Sequence, residues 1–386
     1  MDRVATDLGP LGQLRQAWAR INLDRLSANY KAVSAAASVP VMPVVKADAY
    51  GHGAQVVARR FQELGAPMLG VAYVEEGLAL RRAGVTIPIL VMAPFGHEQG
   101  LLIAEHGLTP VVSRPSALAW AVAAGRAARL SVHLKIDTGM TRLGFQPADL
   151  AAAAGALLDS GHVTIDGVMT QLASADEDAD ATERQLDQLD AALDELSRQG
   201  VSPRWVHAAN SAGLAYLRPT HTLARVGLLL YGLRPRPLSP AVDVQPVMNL
   251  VAPIARLQDV PAGTAVSYGG RWVASRPSRI ATLLIGYADG VPRTDGMRER
   301  GAFAVDGRRA PVVGNVCMDL TMLDVTDGDG VAEGSQAVLF GDEPTAWDVA
   351  EWAGTNAWQV LTSIGPRIPR VYLEGGEIVA VDSPHL

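Results

Sequence analysis

Residues 41–84 read "VMPVVKADAYGHGAQVVARRFQELGAPMLGVAYVEEGLALRRAG". An apolar run, "VMPVVK" (41–46), gives way to a polar, glycine-rich turn and then to the helix-like segment "GAQVVARRFQELG". The cycle repeats at once with "PMLGVA" (67–72) and "VEEGLALRRAG". Runs that are apolar along their whole length suit strands buried on both faces. Strands that alternate with helices imply parallel pairing.

Outward from this stretch the same alternation continues. Further runs are "IPILVM" (87–92), "LTPVV" (108–112), "LSVHLKI" (130–136), "VTIDGVMT" (163–170), "RWVHAA" (204–209) and "TLARV" (222–226), which makes eight candidate strands. Helical patterns such as "LAAAAGALLDSG" and "TERQLDQLDAALDELSRQG" lie between them. Eight units predict a (β/α)8 TIM barrel, with an open doubly wound sheet as the alternative. The prolines of "YGLRPRPLSPAVDVQPVMNL" mark a linker. Beyond it, short runs separated by turns, such as "RIATLLIGYADG", "GAFAVDGRRAPVVG" and "SQAVLFGDE", predict a mostly-β domain with a short helix at "TAWDVAEWAG". The expected domains are therefore a barrel over 1–240 and a C-terminal β-domain over 241–386.

Bulk properties exclude several classes. The chain has 386 residues, 48% of them hydrophobic, enough for a sizeable core. It carries 33 Lys+Arg against 40 Asp+Glu, and no basic stripe stands out, so nucleic acid is not an expected partner. Cys317 is the single cysteine, so no internal disulfide can form and a cytoplasmic address is expected. The first residues lack the apolar core of a signal peptide, and no run approaches the ~20 apolar residues of a membrane helix.

A barrel puts its chemistry at the C-terminal ends of its strands. Here those ends collect Lys46, Lys135, Gln171, His207 with "ANS" after it, and Arg225. No cluster of His, Cys and carboxylates has metal-ligand spacing, so no metal is expected. There is no nucleophile elbow and no Walker lysine. A lysine in a desolvated mouth has a depressed pKa and forms Schiff bases readily, so Lys46 could hold a carbonyl cofactor. A strand-end lysine snorkelling to water would look the same in sequence.

"VVKADAYGHG" resembles the pyridoxal-phosphate lysine motif of the alanine racemase family. "KIDTGMTRLGF", "GVMTQLASADE", "HAANSAG", "RVGLLLYGL", "VSYGG", "IGYADGVPR", "GNVCMD" and "LTSIGPRIPRVY" follow in the family's order and span nearly the whole chain. The resemblance implies a barrel that binds pyridoxal 5'-phosphate, followed by a β-domain, in a head-to-tail homodimer. It implies interconversion of L- and D-alanine for peptidoglycan synthesis.

Lys46 matches the family's Schiff-base lysine, which also moves one proton at the substrate Cα. Tyr268 matches a second base, contributed by the partner subunit to the opposite face. A free tyrosine has a pKa of about 10, so a tyrosine base needs help to lose its proton near neutrality. Arg225 matches the arginine facing the pyridine nitrogen, and His207 the histidine that steadies it. An arginine in an ion pair and a structural histidine are the bland readings of these two. The phosphate would be held by the Tyr50 and Ser211 hydroxyls and by backbone amides near Gly227 and Leu228. Arg142 and the Met318 backbone match contacts to the substrate carboxylate, and Tyr287 matches a tyrosine lining the passage into the site. Lys135 matches a lysine that is carbamylated in some members and orients the arginine matched by Arg142.

Three positions depart from the family's pattern. Gln171 stands where histidine is usual, Val226 replaces a proline, and Trp358 replaces a tyrosine that touches phosphate and substrate. Indole can donate a hydrogen bond but not accept one. Gln171 and Trp358 keep open a racemase of other or broader scope, serine included. Two further rivals are a pyridoxal-phosphate amino-acid decarboxylase, which usually sets a carboxylate rather than an arginine against the pyridine nitrogen, and a non-catalytic single-barrel pyridoxal-phosphate-binding protein, which lacks the β-domain.

Overall fold

The computed structural model describes residues 17–238 and 240–383. Strand β1 (Trp18–Asn22) is followed by eight short strands: β2 (Val41–Pro43), β3 (Leu69–Val71), β4 (Ile89–Val91), β5 (Thr109–Val112), β6 (Leu130–Lys135), β7 (Val163–Met169), β8 (Trp205–His207) and β9 (Ala224–Val226). Each of the eight falls within one of the apolar runs of the sequence. They run parallel in the order β3-β4-β5-β6-β7-β8 and β2-β9. A bridge from Val44 to Gly70 joins β2 to β3, and the Arg225 amide bonds to Ala209 O beside β8. The ring is thus closed, and the open-sheet alternative falls. Met42, Met68, Leu90, Val111, Met169, Trp205 and Leu223, spread around the ring, meet in one buried cluster.

The helices between the strands follow from their patterns. In Ala179–Arg198 the buried residues Thr182, Gln185, Leu186, Leu189, Ala192 and Leu196 form one stripe. Asp178 caps it by accepting from the Ala181 amide at 2.9 Å. This first compact unit comprises residues 27–49 and 54–244.

Among the described residues, the second unit comprises 17–26, 50–53 and 245–383. Its spine is β10 (Met248–Val260), antiparallel to Gln336–Phe340 and, past a register shift, to Ser278–Leu283. Strand β1 belongs here: Trp18 pairs antiparallel with Val251, and Ala19 pairs parallel with Arg370. The sequence reading assigned residues 1–240 to the barrel and noted no strand at 18–22. A closed ring of eight has no edge to offer, whereas an open sheet does. The helix expected at "TAWDVAEWAG" is Ala346–Ala353, capped by Thr345.

Candidate active site

In the first unit the chain delivers its polar groups at the strand ends. Arg225, on β9, is buried and held by its guanidinium tips. Nη1 donates to His207 O at 2.7 Å and to His207 Nδ1 at 3.0 Å. Nη2 donates to Thr170 O (2.8 Å), Ala208 O (3.0 Å) and Gln171 Oε1 (3.1 Å). The Nε–H has no partner among the described residues. Burial pulls Arg225 down to about 10, which still leaves it charged at neutral pH.

An arginine can only donate, so His207 Nδ1 must accept. Its Nε2 then carries the hydrogen and donates to His133 Nδ1, 2.7 Å away. His133 Nε2 is left as a buried N–H without a hydrogen-bond partner among the described residues. Burial and the Arg225 charge hold His133 down at about 3. Burial, then Arg225 and His133, hold His207 well below its ordinary value. Both rings are therefore neutral and fixed in one tautomer each. A shift in the β6–β7 register sets His133 opposite Gly167. A Cβ on Gly167 would lie 2.5 Å from the His133 ring, so only glycine leaves room for it.

Lys46 is half-buried at the end of β2, and its amine is lowered by burial, by Arg142 and by Arg225, against the opposing pull of Glu76. Lys135, at the end of β6, is lowered to about 8 by burial, Arg225 and Arg142. Its amine makes no hydrogen bond or ion pair among the described residues. The loop after β6 folds back on itself: Asp137 Oδ1 accepts from the amides of Gly139 (3.1 Å) and Thr141 (3.0 Å). Phe145 N bonds to Lys135 O and Gly144 N to Ser113 O. This brings the exposed Arg142 back toward Lys46 and Lys135, and its guanidinium too has no hydrogen bond or ion pair among the described residues.

Ser211 follows β8 and is buried; its Oγ accepts from the amides of Gly227 (3.3 Å) and Leu229 (3.4 Å). The Leu228 amide lies between them in the chain, so a hydroxyl and a run of amides converge where the phosphate was expected.

In the second unit, Tyr50 is buried, and burial pushes its hydroxyl up to about 12, which keeps it a neutral donor. Tyr268, Tyr287 and Met318 come together on one edge of the β-structure. Asn315 Nδ2 donates to Tyr268 O at 2.8 Å, and the amides of Tyr287 and Ala288 bond to Cys317 O and Met318 O. Tyr268 is 68% and Met318 53% exposed. Trp358 is half-buried in the helix Ala357–Thr362, its ring edge-on to Trp347 at 5.6 Å. Gln171 uses both ends of its amide, Oε1 toward Arg225 and Nε2 toward Leu172 O. Among the described residues no group of three His, Cys, Asp or Glu could hold a metal.

Sequence reasoning missed His133 and Glu76. The signals were a lone histidine in the mostly apolar "LSVHLKI" and a glutamate three residues into the turn that opens a helix.

Known proteins match this chain along its length. The family model "Alanine racemase, N-terminal domain" matches residues 21–235, and "Alanine racemase, C-terminal domain" matches residues 247–372. An alanine racemase of Halothermothrix orenii is 39% identical over 372 residues, 93% of this chain and 97% of the relative. One from Symbiobacterium thermophilum is 40% identical over 380 residues, 95% of this chain and 99% of the relative. The crystal structure of alanine racemase from D-cycloserine-producing Streptomyces lavendulae superposes with TM-score 0.87 at 38% identity, covering 94% of this chain and 98% of that one. The Bacillus anthracis enzyme with bound L-Ala-P gives TM-score 0.88 at 32% identity, covering 96% and 98%.

Proposed function

This chain belongs to the alanine racemase family, the pyridoxal-phosphate-dependent isomerases that interconvert L- and D-alanine, and we propose that Lys46 and Tyr268 move the two protons of that reaction. Arg225 is the observation that carries the assignment. Its two tips are tied to the barrel, while its Nε–H is left for a ligand acceptor. That fits an unprotonated pyridine nitrogen, which needs a donor that never gives up its proton. When bound, pyridoxal phosphate acidifies the substrate Cα–H by drawing its electrons into the conjugated ring. A fixed cation that only donates keeps that withdrawal modest and so limits side reactions.

Lys46 would hold the cofactor's carbonyl. Its lowered amine gives the neutral form a larger share near pH 7, as a nucleophile and proton acceptor must have. Inverting the centre requires a second base on the opposite face, because one amine cannot reach both. Tyr268 is the candidate, exposed on the β-edge beside Tyr287 and Met318. We read this edge as the surface that serves a partner subunit, giving a homodimer with shared sites. Ser211 Oγ, the amides of Gly227 and Leu228, and Tyr50 would hold the phosphate. His207, fixed in one tautomer, would keep Arg225 in place. Arg142 and the Met318 backbone would meet the substrate carboxylate.

Lys135 lies among the charges of Arg225, Arg142 and Lys46, with Asp137 as the opposing charge, and its amine makes no ion pair among the described residues. A neutral amine there can add to carbon dioxide and release a proton, leaving an anionic carbamate that balances the cations. The family assignment removes the decarboxylase and single-barrel binding-protein readings. Broader amino-acid scope is favoured by one observation: the Trp358 ring leans on Trp347 and has no hydroxyl to offer the phosphate. The setting would be the cytoplasm and the task the supply of D-alanine for peptidoglycan. Among the described residues no helix is long and apolar enough to cross a membrane.

Borohydride reduction followed by peptide mapping tests the assignment. The yellow protein should bleach and the adduct should map to Lys46; an adduct on another lysine would overturn it.

A further inference from the structure

The turn that follows Lys46 has an unusual backbone. Ala47, Asp48, Ala49 and Tyr50 have φ of 52, 55, 52 and 55°, so four successive non-glycine residues are left-handed. L-residues rarely enter this region, because Cβ crowds the carbonyl oxygen, and "ADAY" contains no glycine to relieve it. Such a conformation persists only where its surroundings over-determine it. Ala49 N bonds to Val45 O at 2.9 Å, and Asp48 Oδ1 accepts from the Ala54 amide at 2.8 Å. Both of these bonds are local to the segment.

A bond from another turn comes from Glu76. Its Oε2 accepts from the amides of Ala72 (2.7 Å) and Tyr73 (3.1 Å), closing the start of the helix Val74–Arg82. Its Oε1 reaches across to the Ala47 amide at 2.7 Å. One carboxylate thus ties the turn after β2 to the turn after β3. A carboxylate accepting three backbone N–H groups makes strong, directional bonds. We infer that Glu76 is a positioning residue: its bond to the Ala47 amide holds the left-handed turn and so presents Lys46 at the barrel mouth. The functional half of this inference rests on Lys46 being the cofactor lysine; the structural half does not. The charge of Glu76 also opposes the two cations, Arg142 and Arg225, that act on Lys46, which accords with this placement.

Two variants of the holoenzyme test it. Glu76→Ala removes all three bonds, and Glu76→Asp is one methylene too short to close the helix start and reach Ala47 together. In both, hydrogen–deuterium exchange at the Ala47 amide should rise at least tenfold, with the helix His97–Glu105 unchanged. The cofactor should leave about tenfold faster. Exchange at Ala47 and cofactor release both within twofold of the parent, in either variant that folds with the parent's Tm, would overturn the inference. If Glu76→Ala does not fold, Glu76→Asp decides by the same two readouts. A borohydride adduct on a lysine other than Lys46 would overturn the cofactor assignment alone, because the exchange readout is independent of it.

Discussion

Replacing Gly167 by alanine sets two effects of opposite sign against each other. Gly167 lies inside β7 without a left-handed φ, so the backbone accepts alanine. Propensity alone then favours the change by about 0.5–1 kcal/mol. The site opposes it. The new methyl would lie 2.5 Å from His133 Cγ and Nδ1 and 2.6 Å from Cε1. Relaxed contacts need about 3.5 Å, so the ring must retreat by about 1 Å. It is fully buried and cannot yield into solvent. Retreat breaks its 2.7 Å bond with His207. Overpacking costs about 1–3 kcal/mol and a broken buried hydrogen bond about 1–3 kcal/mol. The net expected loss is about 1–5 kcal/mol, read as a lower urea midpoint. The control is the same substitution in a His133→Ala background, where no ring stands in the way and the cost should fall below about 1 kcal/mol. Equal losses in both backgrounds, or a Gly167→Ala protein as stable as the parent, would refute the reasoning.

Lys46→Ala and Tyr268→Phe should each be nearly inactive, and mixing them under subunit exchange should restore activity through dimers with one intact site; no recovery, with exchange shown independently, would remove Tyr268 from the partner's site. Trp358→Tyr should slow cofactor release and shift the alanine-to-serine ratio of kcat/KM, since a phosphate bond to a charged partner is worth about 1.5–3 kcal/mol; a folded variant with both quantities at the parent's values would make Trp358 structural. In carbon-dioxide-free buffer, unmodified Lys135 should make stability rise with pH. Between about 8 and 10.5 the unfolded chain keeps the proton that the folded chain has lost, so the burden on the charged amine, about 3 kcal/mol, is lifted across that window. The rise should be absent from Lys135→Met, and labelled bicarbonate should give a carbamate carbon signal in the parent only.

The barrel was legible because its eight strands are short, mostly apolar and separated by helix-length segments, as buried parallel strands in a β/α alternation are. Strand β1 was not, because five residues carry little pattern and their pairing with β10 and Arg370–Glu374 depends on contacts more than 200 residues away. At the site, Lys46, His207 and Arg225 stand out as charged or polar groups ending apolar runs. His133 and Glu76 escaped notice for different reasons. A buried histidine means little until the strand register sets it against His207 and Gly167. A helix-capping glutamate looks ordinary until its second oxygen is seen on Ala47. The left-handed turn leaves no trace in "ADAY", since nothing in those residue types asks for positive φ.

The claim that two bases work from opposite faces is tested most directly by solvent deuterium. Tyr268→Phe, incubated in D2O with each enantiomer of alanine in turn, is analysed for Cα label and for chirality. With Lys46 alone able to move the proton, one enantiomer should take up deuterium with its configuration kept, the other should stay unlabelled, and inversion should all but stop. Equal label in both enantiomers, or inversion at the parent's rate, would contradict the assignment of Tyr268 as the second base.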